Sequence, residues 1–407
     1  MLAQIYPRKH ARFTSLPLLG PHVEGFVVWL HAKGYPWLPI RLRVRVLPRV
    51  EGLLRRRGVR RIHDLTVADL LRLRPRHSSH DVYRSAALCS LARYFAAQDL
   101  LSRAVPTPRE EMVSAYLAHL DRVRGFSEST RTHHGVTIAE WLMFVGFDGD
   151  GKVLRAVGAR DIEAFLRCCG PRFSRESLQH VVGHLRAFLR FLAARGLIAA
   201  GLDGTIDTPR VYRGERLPRS LPWETVRAFL AAIDRSTAMG RRDYAMFLLV
   251  STYGLRTSEV AALRLDDIQW RAGCLRVRRP KTMTPLVLPL TDDVGAALAD
   301  YLRHARPDLP RREVFLRVRA PSGHLKPTAV TEAFQGWVRR SGLPIPYQGP
   351  HCLRHSLAIH LLRRGTPLRE IGELLGHRSA EATCVYLRLH VEDLRDAALD
   401  LPQEARR

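Results

Sequence analysis

The chain has 407 residues, 46% of them hydrophobic, which is enough for two or three domains with cores of their own and excludes a disordered polymer. Its net charge of +26, with arginine far exceeding lysine, points to a polyanion partner; phosphate backbones fit best, because a guanidinium grips phosphate through two hydrogen bonds. Six cysteines without a CxxC pair, no signal-peptide order at the N-terminus and apolar runs as short as Ala245–Val250 exclude a disulfide scaffold, a secretory leader and a membrane span, and predict a soluble cytoplasmic protein with free thiols.

Residues 1–20 read as a loose basic arm. From Pro21 an apolar helix pattern runs through Val23-Glu24-Gly25-Phe26-Val27-Val28-Trp29-Leu30 to a stop at Lys33-Gly34-Tyr35. A second helix is expected over Arg41–Arg57, a further short stretch at Ile62–Leu70, and another helix over Val82–Asp99. The same order then recurs. Val113–Leu120 with Arg124-Gly125-Phe126 matches the first helix and its stop, Arg131–Phe144 matches the second, Val157–Ile162 matches Leu65–Leu70, and Arg190–Leu197 echoes the end of the first stretch. The offsets drift from 91 to 97 residues, which predicts a duplicated helical domain rather than a short solenoid repeat.

The expected boundaries are therefore a helical domain at 1–104, a second at 105–204, a linker at 205–220 and a final domain at 221–407. The arginines Arg41, Arg43, Arg45, Arg49, Arg55–Arg57, Arg60 and Arg61 of the first domain read as phosphate contacts or as one solvated helix face. Thr205–Ser220 has two prolines, four arginines and no periodicity, as a linker should. Beyond it, helices are expected at 222–233 and 241–252, strands at 275–279 and 285–290, and helices at 292–305, 327–341, 351–363 and 367–375, with an amphipathic tail at Val391–Leu401. The fold class is thus mainly α with a small β-sheet.

Chemistry-bearing residues gather in this last domain. His351 and Arg354 lie three apart behind Pro350, so they share one helix face. His377 follows Gly376 at a tight turn, and Ser379 can cap a short helix that returns Tyr386 toward that turn. Upstream, Gly254 closes one apolar helix before Arg256, and Glu259 can pair with Arg256 and fix its fork. Lys281 sits in the turn between the two strands. His351 and His355, four apart, lack the intervening glutamate of a metalloprotease helix, so no metal is expected.

The series Arg256…Lys281…His351-x-x-Arg354…His377…Tyr386 resembles the tyrosine recombinase (phage integrase) family in order and spacing, over about residues 213–400. The resemblance implies an α+β catalytic domain preceded by helical, SAM-like DNA-binding domains, of which 105–204 would be the core-binding one. It implies Tyr386 as nucleophile, Arg256 and Arg354 as clamps on the phosphate oxygens, His351 and His377 as hydrogen-bonding and proton-handling groups, and Lys281 as the acid for the departing 5′-oxygen. Glu259 and His355 would support the site, and no cofactor is needed. The expected function is site-specific recombination, through a covalent 3′-phosphotyrosine, on double-stranded DNA by a homo- or hetero-tetramer on two sites, on a bacterial mobile element. The alternatives are a type IB topoisomerase-like enzyme and a non-catalytic DNA-binding accessory protein.

Overall fold

The computed structural model describes residues 1–75, 82–211, 218–279, 285–377 and 379–389. Lys281 and the tail Val391–Leu401 lie outside the described residues. Two compact units are present, one formed by residues 102–215 and the other by the segments on either side of it. None of the described helices is long and apolar enough to cross a membrane.

The N-terminal segment is built from helices Leu2–Ile5 (α1), His10–Thr14 (α2), Gly20–Ala32 (α3), Trp37–Arg45 (α4), Leu47–Arg56 (α5), Val67–Arg72 (α6) and Val82–Ala97 (α7). Residues 1–20 are therefore not a loose arm. Leu2, Phe13, Leu18 and Leu19 are buried in the same core as Phe26, Leu30 and Phe95. The buried Glu51 accepts hydrogen bonds from the backbone of Leu18 (3.1 Å) and Leu19 (3.0 Å), which supplies the otherwise partnerless donors at the start of α3. The single helix expected over 41–57 is two, because Pro48 lacks an N–H and cannot continue α4. Ala320 packs against this core and the Ser322 amide donates to the Lys33 carbonyl at 2.9 Å, joining the segment to the C-terminal part of its unit.

The other unit contains Pro108–Arg124 (α8), Glu128–Phe144 (α9), Gly151–Arg155 (α10), Ala159–Cys169 (α11) and Arg175–Ala193 (α12) around Tyr116, Trp141, Phe165 and Phe188. The first residues of the expected linker are held on α12: Gln179 donates to the Pro209 carbonyl (2.7 Å), Arg186 to Thr208 Oγ1 (2.8 Å), and Ile206 is buried.

The C-terminal part follows the expected order: Trp223–Ala231 (α13), Ala238–Tyr253 (α14), Thr257–Ala262 (α15), a three-stranded sheet, Asp292–His304 (α16), Pro327–Ser341 (α17), His351–Arg363 (α18), Leu368–Leu375 (α19) and Ala380–Cys384 (α20). The strands Ile268–Gln269 (β1), Cys274–Val277 (β2) and Leu286–Pro289 (β3) pair antiparallel in chain order, with Leu275 opposite both Ile268 and Leu288. β1 was not foreseen; two residues are too short a run to show alternation. The second half of helix α14 is apolar nearly all round and runs through the core with Met246, Phe247, Leu249 and Val250 buried. Its last residue, Tyr253, donates to the Pro289 carbonyl at 2.6 Å, which fixes the end of α14 against β3.

One buried charge pair orients α14. Asp243, 1% exposed, accepts from Arg242 Nε and from Trp337 Nε1, each at 2.8 Å, and Arg242 also reaches the Leu316 carbonyl. Replacing Asp243 by Ala strands the Arg242 charge in the core, a loss of about 3–5 kcal/mol. The Asn variant keeps an acceptor for Trp337 and should lose less. Denaturant midpoints of the two variants check this, and equal, small shifts would mean that the pair does not orient the helix.

Candidate active site

The site is assembled at the C-terminal ends of α14 and α19. Each helix closes on a glycine in the left-handed region, Gly254 (φ 64°) and Gly376 (φ 63°). Neither position has room for a side chain as the neighbours stand: a Cβ on Gly254 would lie 2.5 Å from Leu375 Cδ2, and one on Gly376 would meet the Arg279 guanidinium. A helix leaves its last carbonyls without internal donors, and its C-terminus carries partial negative charge. Three arginines answer both. Arg354 on α18 donates to the Gly254 carbonyl and, at 2.5 Å, to that of Leu375. Arg279 donates to the carbonyls of Glu373 (3.3 Å) and Leu374. Arg256 donates to the Gly376 carbonyl at 3.3 Å.

Glu259 is the carboxylate of this cluster. Its Oε2 accepts from the Arg256 amide and its Oε1 from Arg256 Nη1, both at 2.8 Å, so the expected pairing is present and doubles as a cap for α15. Arg279 Nε lies 4.0 Å from the same Oε1. Among the described residues Arg354, 2% exposed, has no carboxylate within ion-pair distance. Burial, together with the neighbouring Arg256 charge, pushes its guanidinium down to about 10, so it stays charged at neutral pH.

Tyr386 lies in a 3-10 turn, Val385–Leu389, and packs among Ala358, Ile359, Ile371 and Leu375 at 1% exposure. Its hydroxyl is 2.9 Å from His355 Nδ1. Burial raises the phenol above its ordinary range, against the pull of Arg354 and Arg256. The His377 ring faces that of Tyr386 with centroids 6.1 Å apart, and its Nδ1 is 2.9 Å from Thr383 Oγ1. Burial, helped by nearby cations, depresses His355 to about 3 and His377 to about 4, so both imidazoles are neutral at pH 7. His377 therefore titrates well below the neutral range in which the sequence placed its proton handling.

The structure thus brings together Arg256, Glu259, Arg354, His355, His377 and Tyr386. His351 differs from Arg354 in burial: it is exposed at the start of α18, with its ring edge-on to that of His355 at 4.5 Å. Ser379 takes the extended cap position before α20, but its hydroxyl makes no capping bond. Arg279 is the residue the sequence reading missed. The signal was there in the strand's period of two, since Leu275 and Val277 point inward and Arg279 is next on that face.

The chain is similar to known proteins in sequence and in fold. Residues 219–393 match the Phage integrase family, and residues 113–196 match the Phage integrase, N-terminal SAM-like domain. The "Putative integrase/recombinase y4rA" of Sinorhizobium fredii is 34% identical over 402 residues, spanning 96% of this chain and 97% of the relative. The tyrosine recombinase XerD of Lacticaseibacillus casei is 28% identical over 288 residues, 70% of this chain and 95% of the relative. Among solved structures, a lambda integrase dimer bound to a COC′ core site has a TM-score of 0.53 at 18% identity, covering 79% of this chain and 90% of that one. The XerH site-specific recombinase bound to a palindromic difH substrate has a TM-score of 0.55 at 18% identity, covering 70% of this chain and 83% of that one.

Replacing Arg279 by Leu removes the donors for two carbonyls at the end of α19. An orphaned buried carbonyl costs about 1–3 kcal/mol, so the variant should lose several kcal/mol of stability in denaturant titrations. Arg279→Lys restores charge beside Glu259 without the fork that reaches both carbonyls, and should fall between the two. A Leu variant as stable as the parent would show that these carbonyls do not depend on Arg279.

Proposed function

This chain belongs to the phage integrase family of tyrosine recombinases, and from that we propose that it breaks and rejoins duplex DNA at this cluster, with Tyr386 as nucleophile. The observation that carries the reading is the charge balance: Arg256, Arg279 and Arg354 converge beside a tyrosine and, among the described residues, only Glu259 offsets them. A phosphodiester brings the missing negative charge, and its non-bridging oxygens gain more in the pentacoordinate state. Charged donors already held in place stabilise that state most.

In this reading Tyr386 Oη attacks phosphorus, the bond to the 5′-oxygen breaks, and the 3′-phosphate stays on the tyrosine. The phenol gives up its proton to solvent as the turn opens, and Lys281, assigned by its place in the motif, protonates the 5′-oxygen as it leaves. His355 first holds the hydroxyl at 2.9 Å. Its depressed basicity makes it a positioning partner rather than a strong base. His377, neutral and beside the phenol ring, is suited to donate to a phosphate oxygen, and the exposed His351 to meet the same group from solvent. Since Tyr386 is 1% exposed, attack requires the Val385–Leu389 turn to open toward the phosphate. The phosphoester's energy is kept in the tyrosine linkage, so a second strand's 5′-hydroxyl reverses the step without ATP. Recombination on this scheme joins two duplex sites in a protein tetramer.

Tyr386→Phe removes one oxygen and one hydrogen bond to His355, a stability change of about 1 kcal/mol. The variant should fold and bind DNA, yet form no covalent adduct on a nicked substrate that traps the cleaved strand. The parent should form the adduct in EDTA and without nucleotide. An adduct on the Phe variant would move the nucleophile elsewhere.

A further inference from the structure

The chain folds one helical pattern twice, and the two copies differ in charge. Four chain reversals recur in order. Gly34 (φ 79°) ends α3 as Gly125 (φ 57°) ends α8. Gly58 (φ 76°) ends α5, with the Val59 amide returning to the Leu54 carbonyl at 3.2 Å; Gly146 (φ 73°) ends α9, with Phe147 returning to Leu142 at 3.0 Å. Asp69 accepts from the Thr66 amide at 3.0 Å to start α6, and Asp161 from that of Gly158 at 2.9 Å to start α11. Asp99 (φ 54°) ends α7 and Gly196 (φ 67°) ends α12, with Leu100 returning to Phe95 at 2.9 Å and Leu197 to Leu192 at 3.0 Å.

Residues 1–101 carry 18 Lys and Arg against 6 Asp and Glu, whereas residues 102–215 carry 16 against 13. Three of the extra cations stand at one matched position. Where the first copy has Arg55-Arg56-Arg57 before Gly58, the second has Met143-Phe144-Val145 before Gly146. The fold is closed by the glycine in both copies, so it does not demand the three arginines. Arg43 and Arg61 are accounted for within the domain: Arg43 donates to the Pro39 carbonyl and to Ser90, and Arg61 pairs with Asp64. Arg49, Arg55, Arg56, Arg57 and Arg60 are exposed, and among the described residues none has a carboxylate within 4.0 Å. Five like charges within one short stretch repel one another unless an anion covers them. A protein-docking surface would centre on large apolar anchors, and Arg41–Arg61 exposes none.

We propose that Arg49, Arg55, Arg56, Arg57 and Arg60 form a second DNA-backbone surface, by which the N-terminal copy grips duplex phosphates beyond those held at the catalytic site. This rests on the reading that the chain works on duplex DNA. The test is a salt titration of affinity for a mixed-sequence DNA duplex, using the full chain, its five-fold Arg→Gln variant and the matching five-fold Arg→Lys variant. Each lost phosphate contact makes the log–log slope shallower by roughly 0.9. The Gln variant should therefore show a clearly shallower slope and cover a shorter length of duplex per protomer. The Lys variant, with its charge kept, should match the parent and so separates lost charge from a disturbed fold. A Gln variant with the parental slope overturns the inference, as does a change in self-association alone, which would make the patch a protein contact. A parent that does not bind duplex DNA overturns both this inference and the recombinase reading.

Discussion

Arg354 is a positive charge at 2% exposure, held by the carbonyl oxygens of Gly254 and Leu375 and by no carboxylate among the described residues. Much of the C-terminal fold follows from keeping that charge in place. Two helices must end within reach of one guanidinium, so α14 and α19 both stop at glycines whose backbone turns left-handed and whose missing side chains let the ends approach. Arg256 and Arg279 take the neighbouring carbonyls, and Glu259 ties those two arginines together. The helix ends gain donors and the arginines gain acceptors without being neutralised.

That arrangement suits a transition state better than a ground state. Side chains locked on backbone carbonyls need little reorganisation when charge builds up on a phosphate. A site balanced by carboxylates would repel the same phosphate. The single carboxylate among the described residues of the site, Glu259, is 4% exposed and already engaged by Arg256, through both its backbone and its side chain. Neutral His355 and His377 add hydrogen-bonding capacity without adding to the repulsion among the arginines.

The sequence disclosed what has a local signature. Arg256 and Glu259 stand at cap spacing, Gly254 and Gly376 end apolar helices, and the strands flanking Lys281 alternate, so these were legible. Burial was harder to read, because it depends on distant partners. Arg279 looks like one more basic residue until Val277 and Leu275 give its face, and its acceptors lie on α19, more than ninety residues away. Residues 1–20 looked like a tail because the residue that fixes them, Glu51, is more than thirty positions along the chain. His351 and Arg354 share a helix turn, yet only the second is buried. The break between α4 and α5 has a local signature in Pro48.

The most direct measurement compares tyrosine-linked cleavage of an ordinary scissile phosphodiester with cleavage of an uncharged methylphosphonate at the same position, in the parent and in Arg354→Ala. If the arginines act by stabilising charge on the phosphate oxygens, the variant should lose on the order of a hundredfold in rate on the phosphodiester. It should lose far less on the neutral analogue. An equal loss on both substrates would mean that Arg354 only holds the two helix ends together, and would contradict the account.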